Sequence, residues 1–335
     1  MNRIMRCAVI MGLCLCIVTE VWADGRWESF YSKADLDRTV RLTVPDIQAI
    51  FEEDLPRMLT DQERQELAGV KIVFPRNDAS HPMNFYADWS VGTVAFPVAS
   101  LKFLNDMLVS YAWLSAHGYD LQPVSDYLAM IKYKWPGLLQ GQPYRPKEVL
   151  GIPDSALDEP VVSSRFQQLV GSAVVFIMGH EIGHIYHRHP GYGNVSAEQA
   201  RRHEEEADDF GLKILKRFNG DAVGVAFFFT IMTHLEPFPM DPGYAQSQAQ
   251  RTHPLSPERV RKVAAWIEAN AVDNSLIMAD ARKAKQAQAT ALLIAGELVT
   301  AAKILNHPSL QNSLLKKGMT TDPKDLRPRR QKAAK

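Results

Sequence analysis

The sequence predicts an α+β fold that is mainly helical. Two observations lead there. Three short β-type segments crowd into residues 70–96, and helix-period apolar patterning with capping signals fills most of the chain from residue 101 onward. Residues 24 to about 68 are polar with helical stretches, such as Thr60 to Leu67. Val70 to Phe74, Phe85 to Trp89 and Val91 to Phe96 read as strands, with a turn near Ser90 and Gly92. Leu101 to Ala116 is a helix stopped by His117-Gly118, and a shorter helix, Val124 to Lys134, ends before Pro136.

Residues 136–160 are rich in Pro and Gly and lack periodicity, so they read as a possible lid loop. Ser163 or Ser164 can cap the next helix, whose stretch Leu169 to Met178 is nearly all apolar and therefore buried on most sides. Pro190-Gly191 ends it. Ser196 with Gln199 forms a capping box for the following helix, which runs to Asn219-Gly220. Asp221 caps an apolar helix, Ala222 to His234, and Ser256-Pro257 starts one ending near Asn270. Met278 to Leu305 is Ala-rich and helical. The organisation expected is a leader (1–23), one main domain (24–275), a C-terminal helical segment (276–318) and a basic, disordered tail (319–335).

The leader is expected from Arg3 and Arg6, the short apolar run Cys7 to Val18 and the small-residue cleavage site Val21-Trp22-Ala23. It implies export, to a periplasm or beyond the cell. All three cysteines, Cys7, Cys14 and Cys16, lie within it, so the remaining chain has neither disulfides nor thiolate metal ligands. The full chain carries 38 basic and 38 acidic residues; without Arg3, Arg6 and Glu20 the balance is 36 to 37. No global field for nucleic acid exists, and no stable membrane span is expected after leader removal.

The chemistry concentrates in His180-Glu181-Ile182-Gly183-His184. Histidines four apart on a helix are only ~40° out of line and ~6 Å apart along the axis, so both imidazoles can bind one Zn²⁺. Glu181 can take a proton from the attacking water. A third ligand is needed. A histidine ten residues after His180 is one common solution, but that position is Pro190. The other is a glutamate on a following helix, and Glu204, Glu205, Glu206, Asp208 and Asp209 are candidates. Ala207, Phe210, Gly211, Ile214 and Phe218 mark that helix's apolar face. Glu204 lies ~60° and Asp208 ~100° from its centre, on one shoulder, while Glu205, Glu206 and Asp209 fit a solvated face. Glu204 would complete the ligand set, and Asp208 would hold a ligand imidazole through its free N–H. His203 reads as a core histidine or one behind the ligands.

Gly179-His180-Glu181-Ile182-Gly183-His184 followed by Arg188-His189 resembles the metal helix of the HtpX/BepA-like gluzincin metalloendopeptidases, metallopeptidase family 48. Glu204-Glu205-Glu206-Ala207-Asp208 is similar to that family's second motif, and Thr252-His253-Pro254 with Arg259 to its third. The resemblance covers roughly residues 65–270. It implies a zincin-like fold with a small sheet beside the metal helix and one Zn²⁺ on His180, His184 and Glu204. It further implies Glu181 as base, Asp208 behind a ligand histidine, and His253 and Arg259 steadying the substrate or its oxyanion. A polypeptide would be the substrate, extended along a sheet edge for which Val91 to Phe96 is the expected strand. Unfolded or misassembled envelope proteins suit such a mode. Two rivals stand beside this: a zinc-stabilised protein that holds unfolded chains without cutting them, and a latent protease gated by residues 136–160.

Overall fold

Ser32 opens the first helix with a full capping box to Asp35. This helix, α1 (Lys33–Ala49), carries Pro45, continues through a π-helical turn (Ile50–Asp54) and ends in the short α2 (Leu55–Met58). Thr60 caps α3 (Asp61–Glu66) in the same way. The structure is a computed structural model, and it describes residues 30–76, 81–138, 144–191, 195–241, 244, 253–276 and 281–328. The leader expected at 1–23 lies outside the described residues.

The three strands appear as β1 (Lys71–Val73), β2 (Tyr86–Asp88) and β3 (Thr93–Ala95), each shorter than its apolar segment. Their order is β1-β3-β2. β3 is parallel to β1, with Ile72 opposite Val94, and antiparallel to β2, with Ala87 opposite Val94. The expected substrate edge is therefore corrected. Val91 to Phe96 contains the central strand, whose backbone groups are taken on both sides, whereas β2 is an outer strand and lies against the helix that carries His180 and His184. Sequence pattern gives strand existence but not pairing order, because all three segments have similar apolar alternation.

α4 (Val98–Ala116) is buried along most of its length, and α5 (Gln122–Leu138) passes through Pro136 instead of stopping before it. Pro136 sits in the last turn, where it removes one backbone bond with little helix left beyond it. The region expected as a lid differs too. Its described part folds into α6 (Pro146–Val149) and a 3₁₀ turn (Asp154–Asp158), which place Val149, Leu150, Ile152 and Ala156 in the core. α7 (Pro160–Tyr186) then begins earlier than expected, with Glu159 at its N-cap and Pro160 in its first turn; neither Ser163 nor Ser164 caps it.

α7 is the central helix. From Leu169 to Ile185 it is largely buried, between α4, α8 (Ala197–Arg217) and α9 (Val223–Leu235). The predicted Ser196–Gln199 capping box opens α8. Asp221 accepts the Val223 N–H at the start of α9. α10 (Pro257–Leu276) begins under Ser256, whose hydroxyl accepts the Arg259 N–H, and runs past Asn270. α11 (Ala281–Asn306) packs on α9 and α10, and α12 (Pro308–Thr320) packs on α5.

The tail departs from expectation as well. Residues 319–328 are ordered: Leu326 is buried, Lys134 Nζ donates to the Thr321 carbonyl, and a side chain on Gly151 would meet Pro328. Basic composition suggested disorder, but the apolar anchor at Leu326 offsets the cost of ordering this stretch. Residues 329–335 lie outside the described ones. By length and apolar composition alone, α7 and the Gln288–Asn306 part of α11 are each long enough to cross a membrane.

Candidate metal centre

α7 holds His180 and His184 one turn apart with Glu181 between them, all three buried. The two Nε2 atoms stand 3.1 Å apart. α8 supplies the third donor because the two helices touch at glycines. A side-chain carbon on Gly179 would lie 2.8 Å from the Gly211 Cα, and one on Gly183 would lie 3.0 Å from the Ala207 Cα. This contact brings fully buried Glu204 under the two histidines. Its Oε2 is 3.6 Å from His180 Nε2 and its Oε1 is 3.4 Å from His184 Nε2. His253, from the stretch before α10, adds Nδ1 at 3.4 Å from His180 Nε2 and 3.1 Å from Glu204 Oε1.

His180, His184, Glu204 and His253 are thus placed to hold a metal ion, with one donor atom from each within 4.8 Å of the others. The dimensions test the fit. Metal–ligand bonds of 2.0–2.1 Å in a tetrahedron require donor–donor edges of about 3.3 Å. The contacts above, 3.1 to 3.6 Å, lie near that figure, with Glu204 turning Oε2 towards His180 and Oε1 towards His184 and His253. The donors are imidazole nitrogen and carboxylate oxygen, a set that suits zinc among several divalent metals.

Outer contacts orient the donors. Asp208 Oδ1 lies 2.9 Å from His180 Nδ1, although the ring N–H is not well aligned on it. Arg259 is buried and reaches inward. Its Nε and NH2 donate to the two Asp208 oxygens at 2.8 Å each, while NH1 meets Glu204 Oε2 at 2.6 Å and donates to the Pro254 carbonyl. The Arg259 donors meet protein acceptors, so it clamps two carboxylates of the cluster, and its side chain also borders the cavity beside Glu181. His253 faces both ways. Nδ1 joins the donor cluster, and Nε2 donates to the Phe85 carbonyl at 3.1 Å, with Glu181 Oε1 3.5 Å away.

Sequence reasoning missed a second outer chain. His184 Nδ1 is 2.9 Å from His189 Nδ1, and His189 Nε2 is 2.8 Å from Glu206 Oε2. With His184 Nε2 as ligand, its Nδ1–H donates to His189, which in turn donates to Glu206. Glu206 is therefore not merely solvated. His203, expected near the core, stacks on His189 with centroids 4.2 Å apart. Glu205 pairs with Lys262 at the surface, as its solvated position suggested. Thr252 of the third motif lies outside the described residues.

Burial and neighbours set the charges. Burial pushes the Glu181 carboxyl up, against the pull of His253 and His180. Burial would raise Glu204 as well, but Arg259, then His253 and His184, hold it well below the usual carboxylate range. Burial keeps His184 well below the usual imidazole value, so it stays neutral and able to ligate. For His253, burial opposes protonation, yet Glu204 and Glu181 raise it to about 9.

Glu181 Oε2 is buried with no hydrogen-bond partner among the described residues. Beside it lies a cavity of about 20 Å³, bordered by His180, Glu181 and His253 on its polar side and by Phe85, Phe176 and Met232 on its apolar side. That is room for about one water. A surface cleft of about 220 Å³ runs along α8 and α10 between Glu205, Asp209 and Trp266, and none of the four donors lines it.

A family model described as Peptidase U49 matches residues 135–279, a span that contains all four donors, Glu181 and Arg259. No curated protein and no solved structure matches the chain. The match supports a proteolytic function in general terms and leaves the metal and the substrate unassigned.

Proposed function

We propose that the chain is a zinc-dependent endopeptidase of the gluzincin type, acting on loosely folded polypeptides in an exported compartment. One observation carries the reading: a buried carboxylate with an unpartnered oxygen, Glu181, borders a water-sized space at the edge of the four-residue donor cluster. The peptidase family match over the same residues supports it.

His180, His184 and Glu204 would hold the ion, which when bound supplies a Lewis acid that polarises the scissile carbonyl and makes water nucleophilic near neutral pH. Glu181 takes the proton of the attacking water and passes it to the leaving amine nitrogen. The apolar wall of Phe85, Phe176 and Met232 excludes further water and strengthens this transfer. His253 is the most exposed of the four donor side chains, and its imidazole can donate to the oxygen on which charge develops. An extended substrate would pair with the outer strand β2, whose neighbour Phe85 leads straight to His253.

The test compares wild type with Glu181→Gln on an unfolded, casein-like substrate. Cleavage lost with zinc still stoichiometric supports the reading; cleavage at the wild-type rate sinks it. One observation favours a second reading. His253 Nδ1 stands 3.4 Å from His180 Nε2 and 3.1 Å from Glu204 Oε1, close enough to serve as a fourth ligand, and a four-ligand site is the closed, structural kind. In that case the protein holds chains without cutting them. Equal protection from aggregation, with no cleavage by either form, would identify it.

A further inference from the structure

α11 leaves one face without a protein partner among the described residues. Ala295, Leu298, Ala301 and Ala302 are buried, on the face turned towards the fold. The opposite face carries Lys285, Ala289, Leu292, Leu293, Gly296, Val299, Thr300 and Lys303, within about 60° of one line on a helical wheel. Leu293 is 72% exposed, and Leu292 and Val299 are 45% and 40% exposed. Apolar side chains of this size seldom stand together in water without a function.

Charge selects the occupant. α11 (281–306) contains four basic side chains, Arg282, Lys283, Lys285 and Lys303, and one acidic one, a net +3 in a chain whose total is +0. Lys285 and Lys303 bracket the apolar stripe on the same face, about 27 Å apart along the axis. The one acidic residue of α11, Glu297, lies about 100° away from the stripe. A second copy of the chain would bring the same positive charge against its own. The face is also small, about 300 Å² for a strip of this length, well below the roughly 800 Å² per partner that a stable dimer buries. A bilayer rich in anionic lipid meets both features. Its phosphates pair with the lysines, and the leucines enter the boundary between headgroups and chains.

We propose that α11 docks the protein on an anionic membrane surface, lying flat with Leu292, Leu293 and Val299 inserted and Lys285 and Lys303 on lipid phosphates. The helix lies on the surface instead of crossing it, because its other face belongs to the core. This placement is independent of the peptidase reading.

The test is sedimentation of the full chain with vesicles of phosphatidylcholine, and of phosphatidylcholine with phosphatidylglycerol. The expected result is binding to the anionic vesicles that weakens as salt rises. Leu293→Ser should weaken it about ten-fold, and Lys303→Gln about five-fold. Both side chains are exposed, so thermal unfolding should be unchanged in each variant. The apolar run near the N-terminus is the same in all arms, so it cannot produce these differences. Equal binding by wild type and Leu293→Ser, no preference for anionic vesicles, or no binding would each overturn the proposal. A dimer in vesicle-free buffer that Leu293→Ser dissociates would overturn it too, assigning the face to a second copy.

Discussion

Arg259 grips Asp208 with two parallel bonds, Nε to Oδ2 and NH2 to Oδ1, each 2.8 Å long, and both side chains are buried. The same guanidinium reaches Glu204. One cation thus sets the position of a carboxylate in the donor cluster and of the carboxylate behind His180. Lysine keeps the charge but cannot form the fork. Arg259→Lys should therefore fold and bind zinc about 10- to 100-fold more weakly, measured by competition with a chromogenic chelator. Arg259→Ala leaves two buried carboxylates without their cation and should cost about 3–5 kcal/mol in urea unfolding. Wild-type zinc affinity in Arg259→Lys would show that the clamp does not act on the centre.

The α7–α8 contact should tolerate no added carbon. A side chain on Gly211 would lie 2.9 Å from the Phe176 carbonyl oxygen and 3.0 Å from the His180 nitrogen, backbone atoms that cannot swing aside. Gly211→Ala should destabilise the protein by about 1–3 kcal/mol. Moving α8 outward also carries Glu204 away from His180 and His184, so zinc affinity should fall with stability. Denaturation and metal titration on one preparation check both; a stable Gly211→Ala with unchanged zinc affinity would refute the close-contact account.

The sequence made half of this centre legible. A 3.6-residue period places His180 next to His184 and puts Glu204 and Asp208 on one shoulder of α8, and those inferences need only local geometry. The capping box at Ser196 is local in the same sense. The Arg259 clamp was not legible because its partners lie on another helix 51 residues away, and a motif does not say which way a guanidinium points. His189 and Glu206 were missed for a different reason. Arg188 takes a left-handed conformation, φ 57°, which turns the chain back so that the His189 N–H donates to the His184 carbonyl. Glycine usually marks that kind of helix end, and here the position holds arginine, so nothing local announced the turn. Strand order was beyond reach because the three β-type segments look alike.

Acid should loosen the protein partly through Glu63. Burial would raise its carboxyl, but Arg217, with the Thr60 backbone and hydroxyl, holds it below the usual value. Arg217 NH1 and NH2 donate to its two oxygens at 2.6 and 3.1 Å. A carboxyl lowered by folding contributes stability that is present above its unfolded pKa and lost as pH falls through the folded one. Glu63→Gln should therefore cost about 2 kcal/mol at neutral pH. The gap from wild type should close as pH drops below the carboxylate range. Urea titrations at several pH values measure it; a gap that stays constant into acid would exclude Glu63 as a contributor.

His189 separates packing from hydrogen bonding at the metal. Its ring lies between those of His203 and His187, nearly parallel to both, while its two nitrogens link His184 to Glu206. If orientation of His184 depends on the donated bond, His189→Phe should keep the stacking and the fold yet weaken zinc binding about ten-fold. Glu206 stands at the far end of the chain with its side chain 53% exposed, so water can replace much of what it does. Glu206→Gln should then weaken zinc binding by no more than a few-fold, and less at high salt. The ordering decides the matter. A larger loss in Glu206→Gln than in His189→Phe would mean that the carboxylate acts on the centre by charge at a distance, and that the hydrogen-bonded route through His189 carries little.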